Sequence, residues 1–209
     1  AVEVDIAPGL PGLLMVGLPD AAVQESRERV RAALRNSGLQ MPLTRVIVNL
    51  APADLRKEGP AFDLPIALAV LAASGQLDPR SLNDVWCAGE LGLDGALRPV
   101  RGALALALAA RRAGARALLL PAANGSEAAL VDELTIWPAT DLRAALHWLQ
   151  GTGVSAGTAT ITPVAKPEPH PEQELQEGDR QLDLADVRGQ PHGRRALEIA
   201  AAGGHHLLL

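Results

Sequence analysis

A chain of 209 residues that is 48% hydrophobic but only 2% aromatic must build its core from Leu, Val, Ile and Ala, which excludes a platform of exposed rings for stacking bases. Its net charge of −5 excludes an overall basic nucleic-acid binder while leaving room for a local basic face. The single cysteine excludes a disulfide framework and any multi-cysteine metal site, so a reduced, cytoplasmic setting is expected.

No apolar run reaches the roughly 18 residues of a membrane span, so no membrane partner is expected. Val2–Ile6 alternates as a strand does, and the chain begins inside it with neither a starting Met nor a signal peptide, as a trimmed chain would. The run Leu13–Val16 predicts a second strand, joined to the first as an open hairpin through Pro8-Gly9 and Pro11-Gly12. A helix follows, capped by Asp20, with Val23, Val30, Ala33 and Leu34 as its apolar stripe and Gly38 at its left-handed end. Its outer face carries Arg27, Arg31 and Arg35 at four-residue steps, either a solvated face with Glu25–Arg29 as an i,i+4 pair or a binding face.

Arg45–Leu50 reads as a buried strand leading into a polar loop, Ala51–Pro60. Asp63 opens a second helix that tolerates Pro65 in its first turn. Val85–Leu91 is the next strand, Gly92–Gly95 a hairpin turn and Ala96–Val100 the return. A helix over 102–112, a strand Ala117–Leu120, a short helix near 126–132, a strand Leu134–Trp137 and a helix capped by Thr140 or Asp141 complete an α/β domain over residues 1–150. Hairpins alongside crossovers predict a mixed sheet.

From Gly151 the composition changes. Residues 1–150 hold 14 Lys and Arg against 16 Asp and Glu, so the acidity lies elsewhere: 166–186 alone holds 7 acids against 2 bases. Residues 151–181 read as a linker, stiff where proline recurs at every second residue from Pro167 to Pro171 and otherwise mobile. Order resumes at 182 with an extended entry, a turn at Arg188–Gln190, a helix over 191–202 and a strand at 206–209 where the chain stops.

Catalytic chemistry is sparse. Cys87 lies in an apolar strand with no His or Arg beside it to stabilise a thiolate, which marks a structural thiol. The two lysines are Lys57, in the loop before the second helix, and Lys166, in the linker, where catalytic geometry cannot be held. His205 and His206 would point to opposite faces of a strand, so no metal site is expected within the chain. Neither G-x-G-x-x-G after a strand nor a G-x-x-x-x-G-K-[ST] loop occurs.

Longer stretches carry more information: GLPGLLMVGLPDAAVQESRERVRAALRNSG (Gly9–Gly38), NLAPADLRKEGPAFDLPIALAVLAASGQL (Asn49–Leu77), GELGLDGALRPVRGAL (Gly89–Leu104), DLADVRGQ (Asp183–Gln190) and ALEIAAAGGHHLLL (Ala196–Leu209). In this order they resemble the magnesium-chelatase-like AAA+ ATPases of the ComM/YifB family. The resemblance implies a ribosomal-protein-S5-like fold, shared with the proteolytic domain of Lon, over 1–150, and the start of an AAA+ domain over 182–209, cut before its Walker A loop. It places Val187, Gly189 and Gln190 beside the adenine of ATP. It also implies ATP and Mg2+ in the full-length protein, a homo-hexamer, and branch migration of DNA during natural transformation, with Arg27, Arg31, Arg35, Arg56 and Lys57 as candidate contacts to DNA or a partner. The alternative is recruitment of a protein client by a chelatase-like remodelling ATPase. Lon carries its nucleophile in a K-D-G-P-S-A-G segment; here the stretch is Lys57-Glu58-Gly59-Pro60-Ala61-Phe62-Asp63, so the serine position is Ala61. The base-lysine position, at the family's spacing from Gly89, is Leu106. With both dyad members apolar, a proteolytically inactive relative is implied.

Overall fold

The computed structural model describes residues 1–151, 162–166, 184 and 189–207. The chain divides into two compact units, Ala1–Pro167 and Glu168–Leu209.

In the first unit, strands β1 (Val2–Ala7) and β2 (Gly12–Val16) are followed by helix α1 (Ala21–Asn36) and strand β3 (Arg45–Leu50). The expected hairpin is absent. β1 and β2 do not pair with each other; β3 lies between them, antiparallel to β1 and parallel to β2. Two causes act together. Pro8 and Pro11 lack the amide hydrogens that a tight turn would use, and β3 is the most deeply buried of the three strands, with Val46, Val48 and Leu50 fully buried. The central position, paired on both edges, is held by that strand. The order β1-β3-β2 is a mixed sheet, as expected, and α1 is the crossover between its parallel pair.

α1 starts where the sequence places it. Asp20 Oδ1 accepts from the Val23 N–H at 2.8 Å, while Oδ2 accepts from the Gly59 N–H at 3.1 Å, so one carboxylate caps the helix and fastens the loop 51–60. The cap's contacts, chiefly the bond from Val23, hold the Asp20 carboxyl below its usual value. Helix α2 (Asp63–Ala73) is hydrophobic nearly all round and packs against α1 and β1.

The expected single strand Val85–Leu91 is divided into β4 (Val85–Cys87) and β5 (Glu90–Leu91). β4 joins a parallel sheet of order β4-β7-β8, with β7 at Ala117–Pro121 and β8 at Thr135–Ala139, whereas β5 forms the GLDG hairpin with β6 (Leu97–Arg98). The break is at Gly89, whose N–H donates to Ala61 O and whose carbonyl accepts from the Leu64 N–H, each at 3.0 Å. A Cβ there would stand 2.8 Å from a Leu97 methyl, so a side chain at this position would force Leu97 to shift. Helices α3 (Ala103–Arg112), α4 (Gly125–Ala128) and α5 (Leu142–Leu149) complete the unit; α5 is capped by Asp141, which accepts from the Ala144 N–H at 2.8 Å.

Two apolar clusters result. One lies between the first sheet and α1, α2 and α5, and the other between the parallel sheet and α3 and α4. Within 162–166, Val164 packs on the second cluster and donates its N–H to Ile136 O at 3.0 Å, and Lys166 pairs with Asp132 at 2.8 Å. The second unit contains helix α6 (Pro191–Gly203). Residues 205–207 form no strand, and positions 208 and 209 lie outside the described residues, as does most of the linker expected over 151–181.

Asp20→Ala should lower the unfolding free energy by about 1 kcal/mol, the usual worth of such a cap, measured by urea denaturation at pH 7. Because the folded carboxyl is held below 3.8, its contribution is present above about pH 4 and is lost as pH falls through the depressed folded value. The difference between wild type and variant should therefore shrink in acid; a constant difference would disprove the assignment.

Candidate functional site

The segment that resembles Lon's nucleophile loop, Lys57–Asp63, is tied down at almost every residue. The Lys57 carbonyl accepts from the Asp20 N–H at 3.0 Å and its N–H donates to Leu18 O at 3.1 Å. Gly59, at φ 81°, turns the chain through a left-handed conformation, and Pro60–Phe62 forms one 3-10 turn that delivers Asp63 to the interior. Asp63 is fully buried. Its carboxylate accepts from Arg29 Nε at 2.6 Å, Arg29 Nη2 at 3.1 Å and the Leu91 N–H at 3.1 Å. Arg29 Nη2 also donates to Ala22 O at 2.8 Å and Ser26 Oγ at 3.1 Å. This network raises the Arg29 guanidinium above its ordinary value, the hydrogen bond to Asp63 being the main cause.

The sequence reading paired Arg29 with Glu25. That contact exists, but at 3.5 Å and on the exposed side. Asp63 does not cap α2 either, since its oxygens point across to α1 and β5. The buried pair was missed because an Asp at the start of a helix normally reads as serving that helix's own end; the only sign was its place in an otherwise apolar run, AFDLPIAL.

Beside this segment lies a groove of about 500 Å3, lined by Ala61, Phe62, Leu68, Trp86, Cys87 and Leu106 among others. The structure thus brings Ala61 and Leu106, the positions the resemblance assigns to the dyad, to one groove whose lining side chains include no carboxylate, amine, imidazole or hydroxyl. Burial among apolar neighbours pushes the Cys87 thiol up to about 12, although the residue as a whole is only part-covered. Such a thiol is neither a nucleophile nor a metal ligand at neutral pH.

The five basic candidates separate. Arg27 lies 3.6 Å from Glu28 and Arg56 lies 3.5 Å from Glu58, so each shares its charge with an exposed neighbour. Among the described residues Arg31 and Arg35 form no ion pair, and they line a depression of about 390 Å3 with Gly12 and Leu43. Lys57 departs from the expected exposed set: it is buried, and Nζ donates to the carbonyls of Pro52 and of Leu55, the latter at 2.7 Å. A lysine spent on its own loop is unavailable to a phosphate. In the second unit, Gly189 and Gln190 adopt consecutive left-handed conformations, φ 72° and 51°, immediately before α6, and both are exposed. Val187 lies outside the described residues. No group of three or more metal-ligating side chains occurs among the described residues, and none of their helices is long and apolar enough to cross a membrane.

Comparison with known families supplies the identification. Residues 2–124 match the family described as subunit ChlI of Mg-chelatase, and 183–209 match a second description, magnesium chelatase, subunit ChlI. The chain belongs to the magnesium-chelatase-like ChlI family. It is 45% identical over 208 residues to YifB of Salmonella typhimurium, covering 100% of this chain and 38% of that protein. It is 42% identical over 208 residues to the competence protein ComM of Haemophilus influenzae, covering 99% of this chain and 39% of that protein. The chain therefore spans about two fifths of the length of these relatives. A Lon protease of Roseiflexus castenholzii is 31% identical over 136 residues, 60% of this chain and 16% of the protease, in keeping with a Lon-like fold. The chain is thus of the ComM/YifB type among magnesium-chelatase-like AAA+ proteins.

Two outcomes are expected of this site. The chain should hydrolyse no unstructured protein such as casein, and Ala61→Ser alone should add no activity, because no basic side chain lines the groove; release of peptides by either would contradict the reading. In the native chain at pH 8, Cys87 should react with an aromatic disulfide on the order of a thousandfold more slowly than in the urea-unfolded chain, given about 12 against the ordinary 9.0.

Proposed function

We propose that this chain is the front region of an ATP-driven, homo-hexameric motor of the cytoplasm that moves branched DNA, with its Lon-like unit serving as a contact or assembly module in place of a protease. The observation that carries this reading is the near-complete coverage of this chain by the competence protein ComM, and it is supported by the apolar residues Ala61 and Leu106 at the positions the resemblance gives to a protease dyad. ATP with Mg2+ would be the energy source. Only the adenine end of that nucleotide has candidate neighbours in this chain, Val187, Gly189 and Gln190. The two described ones suit such a place in being exposed at a turn, but offer no charge for phosphates. The chain's own part is therefore binding and positioning.

Within the module, the exposed arginines are the contact residues. Arg31 and Arg35 lead because no carboxylate among the described residues pairs with them, and Arg27 and Arg56 contribute less because each is paired. A second reading, recruitment of a protein client, draws support from the groove at Ala61 and Leu106, an apolar surface for which a nucleic-acid backbone has no complement.

The test is strand exchange on a four-way DNA junction by the whole protein. Branch movement is expected with ATP and Mg2+ and not without ATP. ATP hydrolysis that leaves the junction unmoved would overturn the DNA reading and favour the protein client.

A further inference from the structure

At the end of the first sheet where β2 and β3 begin, two loops carry aliphatic side chains into solvent: Leu10 is 89% exposed and Leu43 is 84% exposed. Scattered exposed leucines are ordinary on protein surfaces. These two are flanked by depressions that meet at Gly12. One, of about 390 Å3, is walled by Arg31, Arg35 and Leu43; the other, of about 410 Å3, by Leu10, Leu14 and Arg45. Gly12 is fixed in the sheet because its N–H donates to Thr44 O at 3.3 Å, which holds the two loops side by side.

The charge of this end is one-sided. Arg31, Arg35 and Arg45 line the two depressions, no Asp or Glu does, and none of the three arginines forms an ion pair among the described residues. The carboxylates on the outward face of the same sheet, Glu3 and Asp5, belong to β1; Glu3 accepts from Asn49 Nδ2 at 2.7 Å. Gly9 brings its loop against the Arg45 stem: a Cβ there would lie 3.4 Å from the Arg45 Cβ. The guanidinium is thereby presented from a packed base.

The geometry points to a docking site for a polypeptide segment that carries both carboxylates and aliphatic side chains. Its acids would face Arg31, Arg35 and Arg45, and its aliphatic groups would cover Leu10, Leu14 and Leu43. A strand of DNA satisfies only half of this surface, since its backbone supplies anions but nothing to bury the leucines, and the depressions contain no ring on which a base could stack. The inference rests on the reading of Arg31 and Arg35 as contact residues and is independent of what the motor moves.

The experiment uses the whole 209-residue chain and fluorescence anisotropy with three labelled probes of equal charge: a twelve-residue peptide of interspersed Glu and Leu, the same peptide with Ser for Leu, and a single-stranded oligonucleotide. The Glu/Leu peptide is expected to bind, to weaken as salt is raised, and to lose at least tenfold in affinity both on Arg31→Ala with Arg35→Ala and on Leu10→Ser with Leu43→Ser. The second pair leaves the charge unchanged, so it separates burial from attraction. Equal binding of the Ser peptide, or indifference to either pair of substitutions, overturns the proposal. So does tighter binding of the oligonucleotide that the arginine pair abolishes, or self-association of the chain that Leu43→Ser dissolves. A whole protein that fails to move a DNA junction while its front region binds the Glu/Leu peptide would sink the motor reading alone.

Discussion

The buried pair of Arg29 and Asp63 is the contact on which the rest of the first unit depends. Two charges withdrawn from water are costly unless their hydrogen-bonding capacity is filled. Here it is filled from several elements, by two guanidinium nitrogens, the Leu91 N–H, Ala22 O and Ser26 Oγ. One ion pair therefore fixes how α1 lies across α2 and where β5 departs from β4. The apolar cluster around it, built from aliphatic side chains and part-buried Phe62, Trp137 and Trp148, supplies most of the stabilisation but is not directional. The ion pair is what makes a single arrangement of α1, α2 and β5 satisfy the buried Asp63 carboxylate.

That constraint also explains the fate of the resembled catalytic loop. In a Lon-like protease the segment after the G-P turn must expose a nucleophile and keep a base within reach. Here the same turn carries Ala61 past an apolar groove and continues to Asp63, whose carboxylate is fully engaged in structure. Lys57, at the head of the segment, is likewise committed to the carbonyls of its own loop. The polar side chains of the region hold the backbone, and the side chains that line the groove carry no carboxylate, amine or hydroxyl. The exposed cationic and aliphatic groups of the two depressions lie elsewhere, at the end of the sheet.

Much of this was legible in the residues. Asp20, Gly38 and Asp141 mark helix boundaries by local chemistry alone, and each stands where that chemistry requires. The GLDG hairpin needed only its turn residues. Other features were not legible, among them the Arg29–Asp63 pair, because contacts that spacing does not reveal decided them. The pairing of β1 with β3 rather than β2 depends on a strand that follows only after α1. The break at Gly89 depends on Ala61 and Leu64, and the state of Lys57 depends on carbonyls of its own loop. The meeting of Ala61 and Leu106 in one groove had been implied by resemblance, while Trp86 and Phe62 beside them had no signal in spacing or type.

The central claim is that Asp63 holds the unit together by its charge on Arg29, and a double-mutant cycle tests it most directly. Asp63→Asn keeps an acceptor for the Leu91 N–H while removing the charge, and Arg29→Ala removes the other partner. Urea denaturation of the two single variants and the double variant at pH 7 should show each single variant losing about 3–5 kcal/mol, as when one member of a buried pair is removed. The double variant should lose less than the sum by roughly 2 kcal/mol or more. Additive losses, or single variants within about 0.5 kcal/mol of wild type, would contradict the account.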